Sequence, residues 1–259
     1  SVVVRVETDE AVGYGESWIN FPPWGLRGRL ATILEGIGPL VLDERFSDPP
    51  ELWRRIEPRL RRVGLQCGTI GELYQAYSGI DNALWDAAAR AAGKPLYEML
   101  HPYAQGPAAH PSTARAEPPA PELYASGLGP PNGLALAQDH LDRGFRRFKL
   151  KVGMEEVQDL ENARAMRELI GPGCELLVDA NQAWTADEAI AAIRRLEAFG
   201  IGWIEAPAAA DDEAGYRRVR AHCRVPVAAG ENFYGMGTWN RFLAEGLLSV
   251  AQPDVAKCG

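Results

Sequence analysis

Apolar positions follow two rhythms along this chain, and the rhythm changes once. Residues 1–8 (SVVVRVET) and 11–17 (AVGYGES) read as the two strands of a hairpin with a short polar gap between them. Helical stretches follow. Residues 51–62 (ELWRRIEPRLRR) form one, and residues 70–93 (IGELYQAYSGIDNALWDAAARAAG) form another, with Gly93 placed to close it. Residues 101–122 are rich in Pro and Ala and have no period, which predicts a loop or linker. Beyond residue 122 a repeat emerges of apolar strand, polar turn and amphipathic helix. The predicted strands are 122–127 (ELYASG), 145–152 (FRRFKLKV), 174–181 (CELLVDAN), 201–207 (IGWIEAP), 225–232 (VPVAAGEN) and 248–255 (LSVAQPDV). Helices fill the gaps, and in residues 185–200 Thr185 and Glu188 have the spacing of a capping box ahead of a closing Gly200.

Strands alternating with helices at this spacing imply a parallel sheet. With no dinucleotide-type glycine fingerprint, the repeat favours a (β/α) barrel over a doubly wound sheet. Six strands are visible, two short of a closed eight-stranded barrel. The sequence ends at AKCG directly after the sixth and begins without Met, so the functional chain is expected to extend past both ends. The organisation predicted is an N-terminal α+β domain over residues 1–100, a linker over 101–122 and an incomplete barrel over 123–259.

Composition narrows the class. The 259 residues are 46% hydrophobic and 24% charged, as in a globular protein with a sizeable core. A net charge of −8 argues against nucleic acid or an anionic membrane surface as a partner. Cys67, Cys174, Cys223 and Cys258 are scattered without a C-x-x-C pair, which suits a reduced cytoplasmic protein better than a disulfide framework or a zinc site.

The candidate chemistry lies at strand ends. Asp179, Glu205 and Glu231 recur every 26 residues (179 to 205 to 231), and Asp254 follows 23 later (231 to 254), so one acid closes each of four consecutive strands. In a barrel those ends converge on one mouth. Carboxylates gathered there repel unless a cation is present, and all-oxygen ligation selects a hard ion, Mg²⁺ first and Mn²⁺ second. The plain alternative is that each acid N-caps the following helix. Lys149 and Lys151 share one strand face and reach the same mouth. As an isolated pair they would be the wet face of a strand. Beside a metal and three carboxylates, one amine suits a substrate carboxylate and the other suits a base.

The K-x-K, the strand-terminal Asp/Glu/Glu, the segments VDANQAW and AGENFYG and the closing QPDVAKCG resemble the enolase superfamily, and within it the mandelate racemase/muconate lactonizing enzyme family. VVVRVETDEAVGYGE and SGIDNALWDAAARAAGKPLYEML resemble the hairpin and last helix of that family's N-terminal capping domain. The resemblance implies a TIM-type (β/α)7β barrel under an α+β cap. It also implies Mg²⁺ (or Mn²⁺) on Asp179, Glu205 and Glu231, Lys151 as acid/base, and Lys149 beside it contacting the substrate carboxylate and lowering the Lys151 pKa. Asn181 and Asn232 match positions beside the ligands, where substrate contact and helix capping remain equal alternatives. Asp254 resembles the residue that, in mandelate racemase-like members, orients a histidine from the seventh strand. That histidine would lie about 25–30 residues beyond Asp254, one βα unit on. His101, His110, His140 and His222 all precede Asp254, and Lys257 reads as structural.

The reaction implied is removal of an α-proton from a small carboxylate substrate through an enediolate. Dehydration of a sugar acid to a 2-keto-3-deoxy acid is the first reading, and racemisation, epimerisation or cycloisomerisation the alternative. Trp18, Phe21 and Trp24, in a loop of the capping domain, are candidate walls of the substrate pocket, and a homo-oligomer is expected. Two readings of other classes stay open: a barrel aldolase with a Schiff base on Lys149 or Lys151, and a non-catalytic homologue that binds Mg²⁺ and an acid.

Overall fold

Valines alternate with polar residues over Val2–Glu7, and this strand (β1) pairs antiparallel with Val12–Ser17 (β2) from Val2 against Ser17 to Glu7 against Val12. Thr8 ties the turn, its hydroxyl donating to the Ala11 carbonyl at 2.9 Å. The computed structural model describes residues 1–20, 22–104 and 121–259. Most of the 101–122 linker expected from the sequence therefore lies outside the described residues, as do Phe21 and His110. The chain divides into two compact units. One comprises Ser1–Glu117, Glu231–Thr238 and Pro253–Gly259; the other comprises Pro118–Gly230 and Trp239–Gln252.

In the first unit the hairpin lies against the long helix Ile70–Ala91. The approach is so close that β2 needs glycine. A Cβ on Gly13 would stand 2.0 Å from the Ala83 carbonyl oxygen and 2.4 Å from the Ala87 nitrogen, both backbone atoms. Gly13→Ala is therefore expected to cost about 3 kcal/mol, the upper part of the overpacking range, read as a drop in urea midpoint at unchanged slope. A loss below about 1 kcal/mol would mean the strand can lift off the helix. The helix Pro49–Cys67 begins at Asp48, whose side chain accepts from the Glu51 N–H. Leu52, Ile56 and Leu60, at helical spacing, join Ile33, Ile37, Tyr77, Ile80 and Leu84 in the core of this unit. Gly93 follows Ile70–Ala91 in left-handed backbone (φ 61), where the sequence placed it.

Asp81, 7% exposed on the same helix, lies beside Gly259, and burial pushes its carboxyl up to about 7 from 3.8. An acid whose folded value lies above its unfolded one binds more protons when folded, so stability falls as pH rises through the interval between them. Asp81→Asn should therefore match the native chain near pH 4 and exceed it at pH 8 by about 4 kcal/mol. Denaturation at the two pH values checks this, and an equal difference at both would reject it.

In the second unit six strands form a parallel sheet in sequential order: Ala125–Leu128 (β3), Arg147–Lys151 (β4), Glu175–Asp179 (β5), Ile201–Glu205 (β6), Val227–Ala229 (β7) and Val250–Ala251 (β8). Five fall within the segments predicted from the sequence, and β3 overlaps its segment and runs one residue past it. The intervening helices include Gly133–Asp142, Glu156–Ile170, Ala186–Leu196 and Glu213–His222. This strand–helix alternation in sequential order is the (β/α) barrel architecture. The capping box forms as predicted, Thr185 and Glu188 each serving the other's backbone N–H. A 3₁₀ turn, Glu197–Phe199, then separates the helix from Gly200 (φ 63). Leu177, Trp203 and Ala228 cluster with Tyr124 and Val250, filling the sheet's inner face with apolar side chains. Among the described residues, no helix is long and apolar enough to cross a membrane.

Candidate active site

The register of the parallel sheet builds the site. Lys151 pairs with Asp179 and Asp179 with Glu205, so the last residues of β4, β5 and β6 lie in one row. Strand alternation puts Lys149 two residues below Lys151 on the same face, opposite Leu177 of the apolar cluster. Lys149, Asp179 and Glu205 are 7%, 2% and 3% exposed, while Lys151 is half-buried.

Charges this deep persist only when paired. The Lys149 ammonium donates to both oxygens of Glu205 at 2.9 and 2.7 Å and lies 3.7 Å from Asp179 Oδ2. It also stands 5.2 Å from the centroid of the Tyr124 ring, a cation–π arrangement. Lys151 donates to Asp179 Oδ2 at 2.5 Å, and the Asn181 backbone N–H donates to Asp179 Oδ1 at 2.9 Å. Gln252 Nε2 donates to Glu205 Oε2 at 2.7 Å. Burial draws the Lys149 pKa down, but the charge and hydrogen bonds of Glu205, with the charge of Asp179, outweigh it and hold the amine above its ordinary value. Burial, and then the charge of Asp179, raise the Glu205 carboxyl against the opposing pull of Lys149 and Gln252. Two buried carboxylates on adjacent strand ends offer the all-oxygen donors that suit a hard divalent cation.

The acids after the strands divide between the two readings weighed for them. Asp254 caps a helix, accepting from the Ala256 N–H at the start of the turn Val255–Cys258. The helices after β5 and β6 are capped instead by Thr185 and Asp212, which leaves Asp179 and Glu205 to the site. Glu231 belongs to the first unit and has partners there. Its Oε2 lies 3.7 Å from the Lys257 amine, and Asn232 Nδ2 donates to its Oε1 at 3.1 Å. Among the described residues, no three or more His, Cys, Asp or Glu side chains are grouped as a metal site.

The other candidates fall as follows. Asn181 (φ 48) and Gln182 (φ 66) adopt left-handed backbone just past Asp179, as does Ala206 (φ 41) just past Glu205. Non-glycine residues in this region carry strain that clusters at functional sites. Asn181 thus serves Asp179 through its backbone. Asn232 accepts from Lys257 at 3.3 Å, and Lys257, itself buried, lies 4.5 Å from the Trp18 ring centroid. Trp24 is 79% exposed at the start of the helix Gly25–Ala31. His140 and His222 sit in helices, as expected, and the His101 side chain lies outside the described residues. The sequence reading missed Gln252, which nothing but its place before the Pro-Asp pair marks, and the attachment of Lys257 to Glu231.

Residues 1–101 match the family described as mandelate racemase/muconate lactonizing enzyme, N-terminal domain, and residues 134–259 match the enolase C-terminal domain-like family. A 3,6-anhydro-α-L-galactonate cycloisomerase of Streptomyces coelicolor is 32% identical over 265 residues, covering 100% of this chain and 68% of that protein. The chain belongs to the mandelate racemase/muconate lactonizing enzyme family of the enolase superfamily. Solved members of this family share its fold. A mandelate racemase/muconate lactonizing enzyme from Bordetella bronchiseptica RB50 superposes with TM-score 0.88 at 36% identity, over 99% of this chain and 68% of that one. A racemase from Streptomyces coelicolor A3(2) with bound magnesium gives 0.82 at 28%, over 99% and 73%. The chain spans about two thirds of the length of the curated relatives it matches, 64% of one and 68% of another.

Proposed function

We propose that this chain is the cap and part of the barrel of a Mg²⁺-dependent enzyme that dehydrates a sugar acid, the α-proton and the β-hydroxyl leaving as water to give a 2-keto-3-deoxy acid. The observation that carries this reading is the row Lys151–Asp179–Glu205 with the buried Lys149 behind it. It places two amines and two carboxylates at the ends of three adjacent strands. Relatives named arabinonate dehydratase and D-galactonate dehydratase support the substrate class.

Asp179, Glu205 and Glu231 would hold the ion. Mg²⁺ supplies positive charge that grips the substrate carboxylate and offsets the negative charge developing on it as the α-proton leaves. Lys151, half-buried and so open to solvent and substrate, takes the proton on one face. Lys149, kept charged by Glu205, holds its ammonium near the substrate carboxylate. Gln252 fixes the Glu205 carboxylate, and the Asn181 N–H fixes Asp179, so neither rotates away when the charge around it changes. Racemisation or cycloisomerisation would use the same proton removal with a different fate for the enediolate. The relative named as a cycloisomerase keeps that outcome in the test.

The test is a panel of mono- and diacid sugars with Mg²⁺, reading keto-acid formation and solvent-deuterium exchange at the α-carbon together. Keto acid with exchange supports dehydration, and exchange alone supports racemisation. Turnover that survives EDTA, with borohydride trapping of a keto substrate on Lys149 or Lys151, would establish the aldolase reading instead. Mg²⁺ binding without exchange on any acid would establish the non-catalytic one.

A further inference from the structure

Arg29 is the most deeply buried cation among the described residues, 1% exposed, and the proposed chemistry does not use it. It lies in the helix Gly25–Ala31, directly after the Trp18–Trp24 stretch. Each of its five N–H donors meets an acceptor. Nε and Nη2 fork onto the two oxygens of Glu72, both at 2.9 Å. Nη2 also donates to Gln75 Oε1 at 2.6 Å, and Nη1 donates to Ser17 Oγ at 2.7 Å and to the Trp18 carbonyl at 2.5 Å.

The network extends beyond the guanidinium. Gln75 Nε2 donates to the Tyr234 hydroxyl at 2.6 Å, three residues past Glu231. Tyr234 packs against the helix one turn earlier, at Gly71, where a Cβ would stand 3.1 Å from its ring. The Trp18 N–H donates to the Ala256 carbonyl at 2.9 Å, so both polar groups of that peptide segment are fixed. All of these residues belong to the first unit.

A buried guanidinium is a poor way to fill space, because apolar side chains of similar volume usually serve stability as well or better. What it supplies is geometry: a planar fork that accepts one arrangement of its partners and rejects others. We propose that Arg29 is a positioning residue. It fixes the Trp18 main chain and, through Gln75, the Tyr234 phenol, so that Trp18 and the segment carrying Glu231 keep one arrangement. Its catalytic consequence rests on the function proposed above, since it requires those segments to face the substrate.

Hydrogen exchange of the whole protein, read by mass spectrometry, tests the geometry without requiring turnover. Arg29→Lys keeps the charge but has three donors and no fork. Peptides covering residues 18–24 and 231–236 are expected to exchange at least about tenfold faster, while those of β5 and β6 are unchanged. With a substrate from the acid panel, KM should rise about tenfold with kcat within about threefold, the signature of lost positioning rather than lost chemistry. Unchanged exchange in both peptides, or unchanged KM beside accelerated exchange, would overturn the proposal. If Arg29→Lys unfolds the first unit, Tyr234→Phe decides, since it removes only the last hydrogen bond. Acceleration confined to 231–236 supports the proposal, and none overturns it. A native chain that turns over no acid but shows the expected exchange pattern would defeat the functional reading and leave the positioning role standing.

Discussion

Replacing Lys151 with alanine is expected to lower turnover by 10²–10⁴-fold, the usual contribution of a positioned general base, while leaving Mg²⁺ affinity within about threefold of the native value. The two effects separate because of where the amine sits. Lys151 donates to Asp179 Oδ2, but Asp179 keeps the Asn181 N–H on its other oxygen and Lys149 3.7 Å away, so the carboxylate stays in place when the amine is gone. Its removal does take the nearest cation from a carboxylate that is 2% exposed, so the metal-free variant loses part of the compensation for a buried charge. The metal-free variant should therefore melt below the native chain, and Mg²⁺ should restore most of the difference by supplying the missing positive charge. Isothermal titration with Mg²⁺ and α-proton exchange on the best acid of the panel would be measured side by side. If the variant keeps more than about a tenth of native exchange on every acid, the base lies elsewhere.

The sequence carried the barrel because each element is specified locally. The K-x-K period of β4, the 26-residue spacing of the strand-end acids and the Thr185/Glu188 capping box each need only a short window to be read. The pairing of Asp179 with Glu205 fits that spacing, and Lys151, 28 residues before Asp179 (179 − 151), completes the row at the end of the preceding strand. Contacts between distant segments were not legible. Nothing near Gly13 announces that helix Ile70–Ala91 will press on it, and nothing near Arg29 announces Glu72, Gln75 and Ser17. Lys257 was read as structural. Its neighbours Glu231, Asn232 and Trp18 come from segments 25 to 239 residues away (257 − 232 and 257 − 18), a separation that no periodic pattern encodes. Asp254 shows how one residue can satisfy two readings at once. Its regular spacing suggested chemistry, and the geometry adds the helix cap that short-range rules also allow.

The largest expected effect belongs to Glu205, because it serves two functions that a single substitution separates. Glu205→Gln keeps the shape but removes the charge that pairs with Lys149. In the metal-free protein this leaves an ammonium, 7% exposed, with only the 3.7 Å contact to Asp179 and the face of Tyr124 to replace a two-pronged pair. Breaking a buried pair by removing one partner costs about 3–5 kcal/mol, so metal-free Glu205→Gln should melt far below the native chain. Lys149 should also titrate at lower pH, since the charge that held its pKa up is gone. Glu205→Gln combined with Lys149→Met should recover most of that loss, since an apolar side chain has no charge to strand. The double variant's Mg²⁺ affinity should not recover, because an amide oxygen without charge is a weaker donor to a hard cation than a carboxylate. Calorimetry on the three proteins, with and without Mg²⁺, reads both effects. A single variant that melts with the native chain would show that Lys149 does not depend on this pair. Native-like Mg²⁺ binding by the double variant would remove Glu205 from the ligand set and, with it, the metal-centred reading of the row.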